Sequence, residues 1–313
     1  MAPPPLPVPA GQVQLQLLDG GSWMPFEMLF LGGGASKPYK MYDWAFYIFH
    51  PKLNRHILWD LGMAESKEIY PPHVGELFYT HFAPRGPTVS LPEQLLKRNV
   101  KQSDVDTVLF SHAHWDHCRP VKNLFPNATC FFGPGTKEFC SPGHFELKTS
   151  HFDGAFFDPQ NATENSTELT GPWVPFGPFE RAMDFLGDGS LWLVDAPGHM
   201  PGNLFAAAHV GNGEWVVLGG DCCHARSILD GTCDVAEFEM PGTGVMSSAH
   251  HDLPTAKRTI SKLRQMEKEY GVHVALAHDE VWMSQGTDPV LMGLLDNDMK
   301  LFVTERLPHG GDP

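Results

Sequence analysis

The chain has 313 residues, 42% of them hydrophobic and 19% charged, so it can bury a sizeable core and lies outside the disordered and collagen-like extremes. Twenty-two Lys and Arg against 37 Asp and Glu leave a net charge of −15, a field that repels polyanions and argues against a nucleic-acid partner. No stretch approaches the roughly 18 consecutive apolar residues of a membrane-crossing helix, which argues against a membrane partner.

The opening Met1-Ala2-Pro3-Pro4-Pro5-Leu6-Pro7-Val8-Pro9 has neither a basic start nor an uninterrupted apolar core. It does not read as a secretory signal, so residues 1–11 are expected to be a disordered, proline-rich lead-in and the protein cytoplasmic. Residues 12–313 are expected to form a single domain. Strand composition marks residues 13–18, 26–31, 45–49 and 56–60, with Gly, Pro, Asn and Asp in the gaps. A helix is predicted over 92–98 and a strand over 106–110, followed by strands at 128–132, 182–186, 191–194, 204–210 and 215–218. The best-defined helix has Asp252 as its cap and Pro254 in its first turn; Ala256, Ile260, Leu263 and Met266 share one face, and Gly271 ends it. A strand at 272–276 follows. Strands in both halves with helices between them imply central sheets flanked by helices, a layered α/β arrangement.

Two stretches, 67–88 and 141–179, read as long ordered loops rich in aromatics, among them Tyr70, Phe78, Tyr79 and Phe82 in the first and Phe145, Phe152, Phe156, Phe157, Trp173 and Phe176 in the second. Loops of that length in a compact domain usually serve a site, so they are expected to wall an apolar substrate; the plain alternative is a peripheral core. The six cysteines (Cys118, Cys130, Cys140, Cys222, Cys223, Cys233) are too sparse for a disulfide framework, form no CxxC pair, and are expected to be reduced. Sequons at Asn127, Asn161 and Asn165 indicate only polar surface loops.

Directly after the strand at 106–110 comes His112-Ala113-His114-Trp115-Asp116-His117. Imidazole nitrogen and carboxylate oxygen hold zinc, iron, cobalt or manganese, and two adjacent ions need about seven such ligands and a shared water. His112 and His114 alternate along an extended stretch and point the same way, while Asp116 and His117 sit where the backbone turns. A single histidine among the 17 here would be unremarked surface or core, but four candidate ligands within one hexapeptide at a strand end point to a metal site. His199, Asp221 and His278 have the same context, each at or just past the end of a predicted strand.

HAHWDHC, with DAPGH, GGD and ALAHDE in that order, resembles the metallo-β-lactamase superfamily in its dinuclear form. The likeness extends over most of the chain and is greatest to the N-acyl homoserine lactonases, which HILWDLG before the motif and LFPNAT after it also fit. The resemblance implies an αβ/βα four-layer sandwich and two divalent ions, expected to be zinc with iron, cobalt or manganese as alternatives. It implies that His112, His114 and His199 bind the first ion, that Asp116, His117 and His278 bind the second, and that Asp221 bridges both. Flavodiiron proteins of the same superfamily resemble an HxExD pattern, and His114 at the Glu position argues against electron transfer.

One position departs from the lactonases, which tend to have a Tyr three residues after the bridging Asp; here it is His224, whose imidazole can still donate a hydrogen bond to a substrate carbonyl. The activity implied is opening of a lactone, N-acyl homoserine lactone-like or a related ester, by a hydroxide shared between the ions, with Asp116 passing a proton to the departing alkoxide. The partner expected is thus a small lactone or ester with an apolar portion, and a homodimer is compatible with the sequence. Asp60, ending HILWDLG, is expected to orient ligand histidines or simply to turn the strand end. Trp115 and Cys118 are expected to pack, and the His250-His251 pair to lie on a loop surface. A thioester hydrolase of the glyoxalase II or polyketide-releasing kind competes, because the same ligands serve thioesters. From another class comes a metal-bound scaffold without turnover, which the complete ligand set disfavours.

Overall fold

The computed structural model describes residues 5–240 and 242–307. One sheet is formed in sequence order by β1 (Gln14–Trp23), β2 (Met41–His50), β3 (Arg55–Trp59), β4 (Thr107–Leu109), β5 (Thr129–Phe132) and β6 (Ser166–Glu168). Its first three strands pair antiparallel, and β3 to β6 run parallel. A second sheet is built from β7 (Val174–Phe176), β8 (Phe179–Asp184), β9 (Leu191–Asp195), β10 (Leu204–Gly211) and β11 (Glu214–Leu218). The small ribbon of β12 (Phe238–Glu239) and β13 (Met246–Ser247) stands apart, and β14 (His273–Ala275) adds parallel to β11 at the edge of the second sheet.

Side-chain alternation along β2 shows how the sequence sets the layers. Tyr42, Trp44, Phe46 and Ile48 face the space between the sheets, where they join Leu191, Leu193, Ala206 and Val216 of the second sheet in one apolar cluster. Ala45 and Tyr47 face the other way, into the layer that includes Leu91 and Leu95. The strand is therefore buried on both sides and reads as a nearly unbroken apolar run.

The helices are α1 (Pro72–His81), α2 (Leu91–Lys97), α3 (Thr136–Cys140), α4 (Gly154–Phe157), α5 (Arg226–Asp230), α6 (Leu253–Tyr270), α7 (Val281–Gln285), α8 (Pro289–Met292) and α9 (Asn297–Arg306). α2 and α4 cover the outer face of the first sheet, and α5 and α6 that of the second, which completes four layers. α6 follows its sequence signals: the Asp252 carboxylate accepts from the Thr255 N–H at 3.1 Å, and Gly271 closes the helix in the left-handed region at φ 67°. Its buried face of Ala256, Thr259, Ile260, Leu263 and Met266 lies on the second sheet. Ile260→Val, which removes one methylene from this face, should cost about 0.5–1.5 kcal/mol. It should appear as a lower denaturant midpoint with an unchanged slope.

Several expectations need correction. Residues 26–31 form no strand; Glu27–Leu29 make a 3-10 turn with isolated bridges at Phe26 and Leu31, because this apolar run lacks the alternation of a half-buried strand. The stretch 67–88 holds α1, whose Pro72 starts the helix rather than breaking it, and Val74, Phe78 and Phe82 recur every four residues on one packed side. The stretch 141–179 holds α4, β6 and β7, and Phe156, Phe157 and Phe176 in it are core. β8 ends at Asp184, not residue 186, since the Asp184 carboxylate accepts from the Gly187 and Gly189 N–H groups and turns the chain. Of the expected lead-in, residues 1–4 lie outside the described residues. Within 5–11, Leu6 packs against the layer under α6 and the Ala10 N–H donates to Asp188 O at 2.7 Å, so that part is held in place. No helix among the described residues is long and apolar enough to cross a membrane.

Candidate metal centre

Parallel strands finish at the same edge of a sheet, and the candidate residues follow strand ends. Asp60 comes after β3, the hexapeptide after β4, His199 after β9, Asp221 after β11 and His278 after β14. The hexapeptide folds back on itself as the His117 and Cys118 N–H groups both donate to His114 O, at 3.1 and 2.8 Å. Two glycines allow the close approach. Gly198 (φ 127°) leaves no room for a Cβ, which would lie 2.3 Å from Ala256 N, and Gly220 (φ 48°) would place one 2.7 Å from the Ser111 Cβ. His199 and Asp221 are thereby brought against α6 and against the hexapeptide.

All seven sequence-predicted ligands converge. His112 Nε2, His114 Nδ1 and His199 Nε2 lie 2.9–3.1 Å from one another. Asp221 Oδ2 is 3.7 Å from His112 Nε2 and 3.5 Å from His199 Nε2. Four donors about 2.0–2.1 Å from one zinc ion would be about 3.3 Å apart, so this set has nearly tetrahedral spacing. On the other side, Asp221 Oδ1 lies 3.3 Å from His117 Nε2 and 3.0 Å from His278 Nε2. Asp116 Oδ2 is 3.9 Å from His117 Nε2 and 3.8 Å from His278 Nε2. Asp221 thus presents one oxygen to each set.

The remaining ring nitrogens have partners that aim the rings. His117 Nδ1–H donates to Asp60 Oδ2 at 3.0 Å, and His278 Nδ1–H to Tyr42 O at 2.7 Å. Ser111 Oγ donates to Asp60 Oδ2 and accepts from His112 Nδ1–H, while Asp60 Oδ1 accepts from the Ser111 N–H. Asp60 therefore orients a site histidine and also turns the strand end, at φ 55°, where its hydrogen bonds offset an unfavourable backbone. His199 Nδ1 faces His250 Nδ1 at 3.3 Å. His250 is thus buried beside the centre, contrary to the loop-surface expectation, because the chain after β13 folds inward before α6; His251 is exposed as expected.

Burial holds His112 and His199 well below the ordinary histidine range and His114 down at about 4, so these imidazoles are neutral with their lone pairs facing one another. Burial also opposes protonation of His117 and His278, but the Asp221 and Asp116 carboxylates outweigh it, raising His117 and placing His278 at about 9. His117 Nε2, His278 Nε2 and Asp221 Oδ1 are buried and face one another at 3.0–3.3 Å between Asp221 and each ring, yet make no aligned hydrogen bond. Buried polar atoms left bare in this way, in a set of imidazoles and carboxylates, suit divalent cations.

The centre forms one end of a cleft of about 170 Å³ lined by Trp23, Phe30, Phe78, Trp115 and Phe152, with His114, Asp116, His199, Asp221 and His224 at its polar end. Of the aromatics in the two long stretches, Phe78 and Phe152 reach this cleft. Trp115 packs against Trp23 and Phe78 and also walls the cleft, whereas Cys118 lies in the outer apolar layer. His224 Nε2 is 3.2 Å from Asp221 Oδ2, and its ring stands against Phe30. Sequence reasoning missed Trp23 and Phe30, His250, and Asp43 of β2, which is fully buried with both carboxylate oxygens unpartnered. The signal for Asp43 was a lone carboxylate inside an apolar strand.

No protein-family model matches the chain. The γ-lactamase MBL2 of Gibberella moniliformis is 30% identical over 176 residues, which cover 54% of this chain and 70% of that protein. The chain belongs to the metallo-β-lactamase superfamily. The superfamily's αβ/βα four-layer sandwich is the architecture described above, as a solved mutant of AiiA from B. thuringiensis shows: it carries N-decanoyl-L-homoserine at its active site and superposes with a TM-score of 0.65 at 16% identity, covering 89% of this chain and 97% of that one. AidC, a dizinc quorum-quenching lactonase in complex with N-hexanoyl-L-homoserine, superposes with a TM-score of 0.56 at 18% identity, covering 88% of this superfamily member and 90% of AidC. A larger relative is the cytochrome P450 monooxygenase mpaDE' of Penicillium brevicompactum, 28% identical over 243 residues; they cover 72% of this chain but only 28% of mpaDE', so the chain matches a minor part of that protein.

Proposed function

We propose that the protein is a dinuclear metal-dependent hydrolase that opens a small lactone or related cyclic ester. The observation that carries this reading is the pair of facing donor sets that share Asp221 at the polar end of an aromatic cleft. His112, His114 and His199 would hold one ion, Asp116, His117 and His278 the other, and Asp221 both. Bound there, two divalent ions would activate water near neutral pH and polarise the substrate carbonyl. The chain's own groups do the rest. Asp116 lines the cleft and can hold a proton for the departing oxygen, and His224 Nε2 beside Asp221 can orient the carbonyl. Trp23, Phe30, Phe78, Trp115 and Phe152 exclude water from the reacting bond. A groove of about 310 Å³ adjoins the cleft, with His114, His151 and Phe152 common to both, so a ring at the centre could carry an apolar substituent beyond it.

A γ-lactam is the second reading, supported by the 30% identity to the γ-lactamase MBL2. A panel of lactones of increasing acyl length, γ-lactams, a thioester and a phosphodiester, assayed with and without chelator, separates these. Chelator-sensitive opening of short lactones supports the reading; phosphodiester cleavage alone would overturn it. His250→Ala removes the buried acceptor of His199 Nδ1 and should weaken binding of the first ion about 10- to 100-fold, read by competition with a chromophoric chelator. Unchanged affinity would show that His250 does not orient His199.

A further inference from the structure

We propose that Asp43 is an eighth metal ligand, joining Asp116, His117, His278 and Asp221 around the second ion. This rests on the dinuclear reading above and extends it to a residue outside the motif. In β2 the side chains on Asp43's face continue as Ala45 and Tyr47, which enter the outer apolar layer, so the alternation calls for an apolar residue where Asp43 stands. Asp43 is 0% exposed, and neither of its oxygens has a hydrogen-bond partner. A fully buried carboxyl with neither oxygen partnered forfeits its hydrogen bonds to water, a cost that a cation bound beside it would offset.

The groups it faces are the imidazoles of the second set. One ligand atom each from Asp43, His117 and His278 lie within 4.8 Å of one another. The Nδ1 atoms of both histidines are taken by Asp60 and Tyr42 O, so Nε2 is the atom each ring has left to offer. Two ligands on opposite sides of one ion stand about 4.0–4.4 Å apart and adjacent ones about 3 Å, so Asp43, within 4.8 Å of both imidazoles, would have to close on at least one of them to bind. The strand supports the site twice, because Tyr42 O aims His278 and the next residue supplies the carboxylate. With Asp43 the second set holds three carboxylates and two imidazoles against three imidazoles and one carboxylate in the first, which makes it the harder site and the one to accept manganese or iron.

Wild type, Asp43→Asn and Asp43→Ala, each stripped by chelator, are titrated with Zn²⁺ and Co²⁺ while metal content, the cobalt absorption spectrum and thermal melting are recorded. Wild type should bind two ions. Both variants should keep the first at wild-type affinity and bind the second at least 10-fold more weakly, with a changed cobalt spectrum and a smaller metal-induced rise in melting temperature. Metal-free Asp43→Asn, which keeps the size and shape of the side chain, should melt close to metal-free wild type, which separates lost coordination from misfolding. Two ions at wild-type affinity with an unchanged cobalt spectrum in Asp43→Asn would overturn the Asp43 assignment and leave the dinuclear reading standing. Fewer than two ions in wild type would overturn both.

Discussion

Asp221→Ala should lower hydrolysis on the order of a thousandfold, about 4 kcal/mol of barrier, and reduce the metal content below two ions per chain. Asp221 faces both donor sets: Oδ1 is 3.0 Å from His278 Nε2, and Oδ2 is 3.5 Å from His199 Nε2. It lines the cleft, so water can enter the space the carboxylate leaves, but neutral water replaces neither its charge nor its contact with both sets. The loss should therefore exceed that from any single histidine, each of which serves one set. Activity within tenfold of wild type, with both ions retained, would remove Asp221 from the shared position.

Asp116→Asn should reduce turnover by about 10²–10⁴-fold on substrates with a poor leaving group, the usual contribution of a positioned acid. Asp116 Oδ2 stands 3.9 and 3.8 Å from His117 Nε2 and His278 Nε2, farther than Asp221 Oδ1; both carboxylates line the cleft, and Asp116 is the one less closely held by the histidines, hence freer to meet a substrate. An aryl ester whose phenolate leaves unaided should lose much less. Equal losses on both substrates, with two ions bound, would mean that Asp116 acts only as a ligand. Metal analysis of the variant is part of the comparison, since loss of an ion would produce equal losses for that reason alone.

The motif residues were legible because local chemistry announces them. Four donors follow one apolar strand within a hexapeptide, and His199, Asp221 and His278 each sit where an apolar run stops. The layers were legible for the same reason, since the apolar runs of β2, β9, β10 and β11 and the capped face of α6 are local patterns. Asp43 and His250 were not legible, because what they face depends on how distant segments meet. Asp43 reaches His117 and His278 only once β2 lies beside β3 and the chain leaving β14 passes over it, with the Trp44 N–H donating to Ala277 O at 2.9 Å. His250 comes within reach of His199 only because the His251 N–H donates to His199 O and the Asp252 N–H to Gly198 O. α1 was hidden by Pro71-Pro72 and Gly75, which read as breaks, although Pro is favoured in a first turn and Phe78 repeats the spacing of Val74. The cleft wall was read only in part for a related reason, as Trp23 stands in a gap between the expected strands and Phe30 in a run whose composition spoke of a strand rather than of a site.

The most direct test of the central claim is the number of divalent ions bound per chain, measured by elemental analysis of the purified protein after equilibration with zinc and removal of unbound metal. Two ions per chain, falling to one or none in Asp221→Ala, is the expected result; a wild-type protein that takes up one ion or none would contradict it.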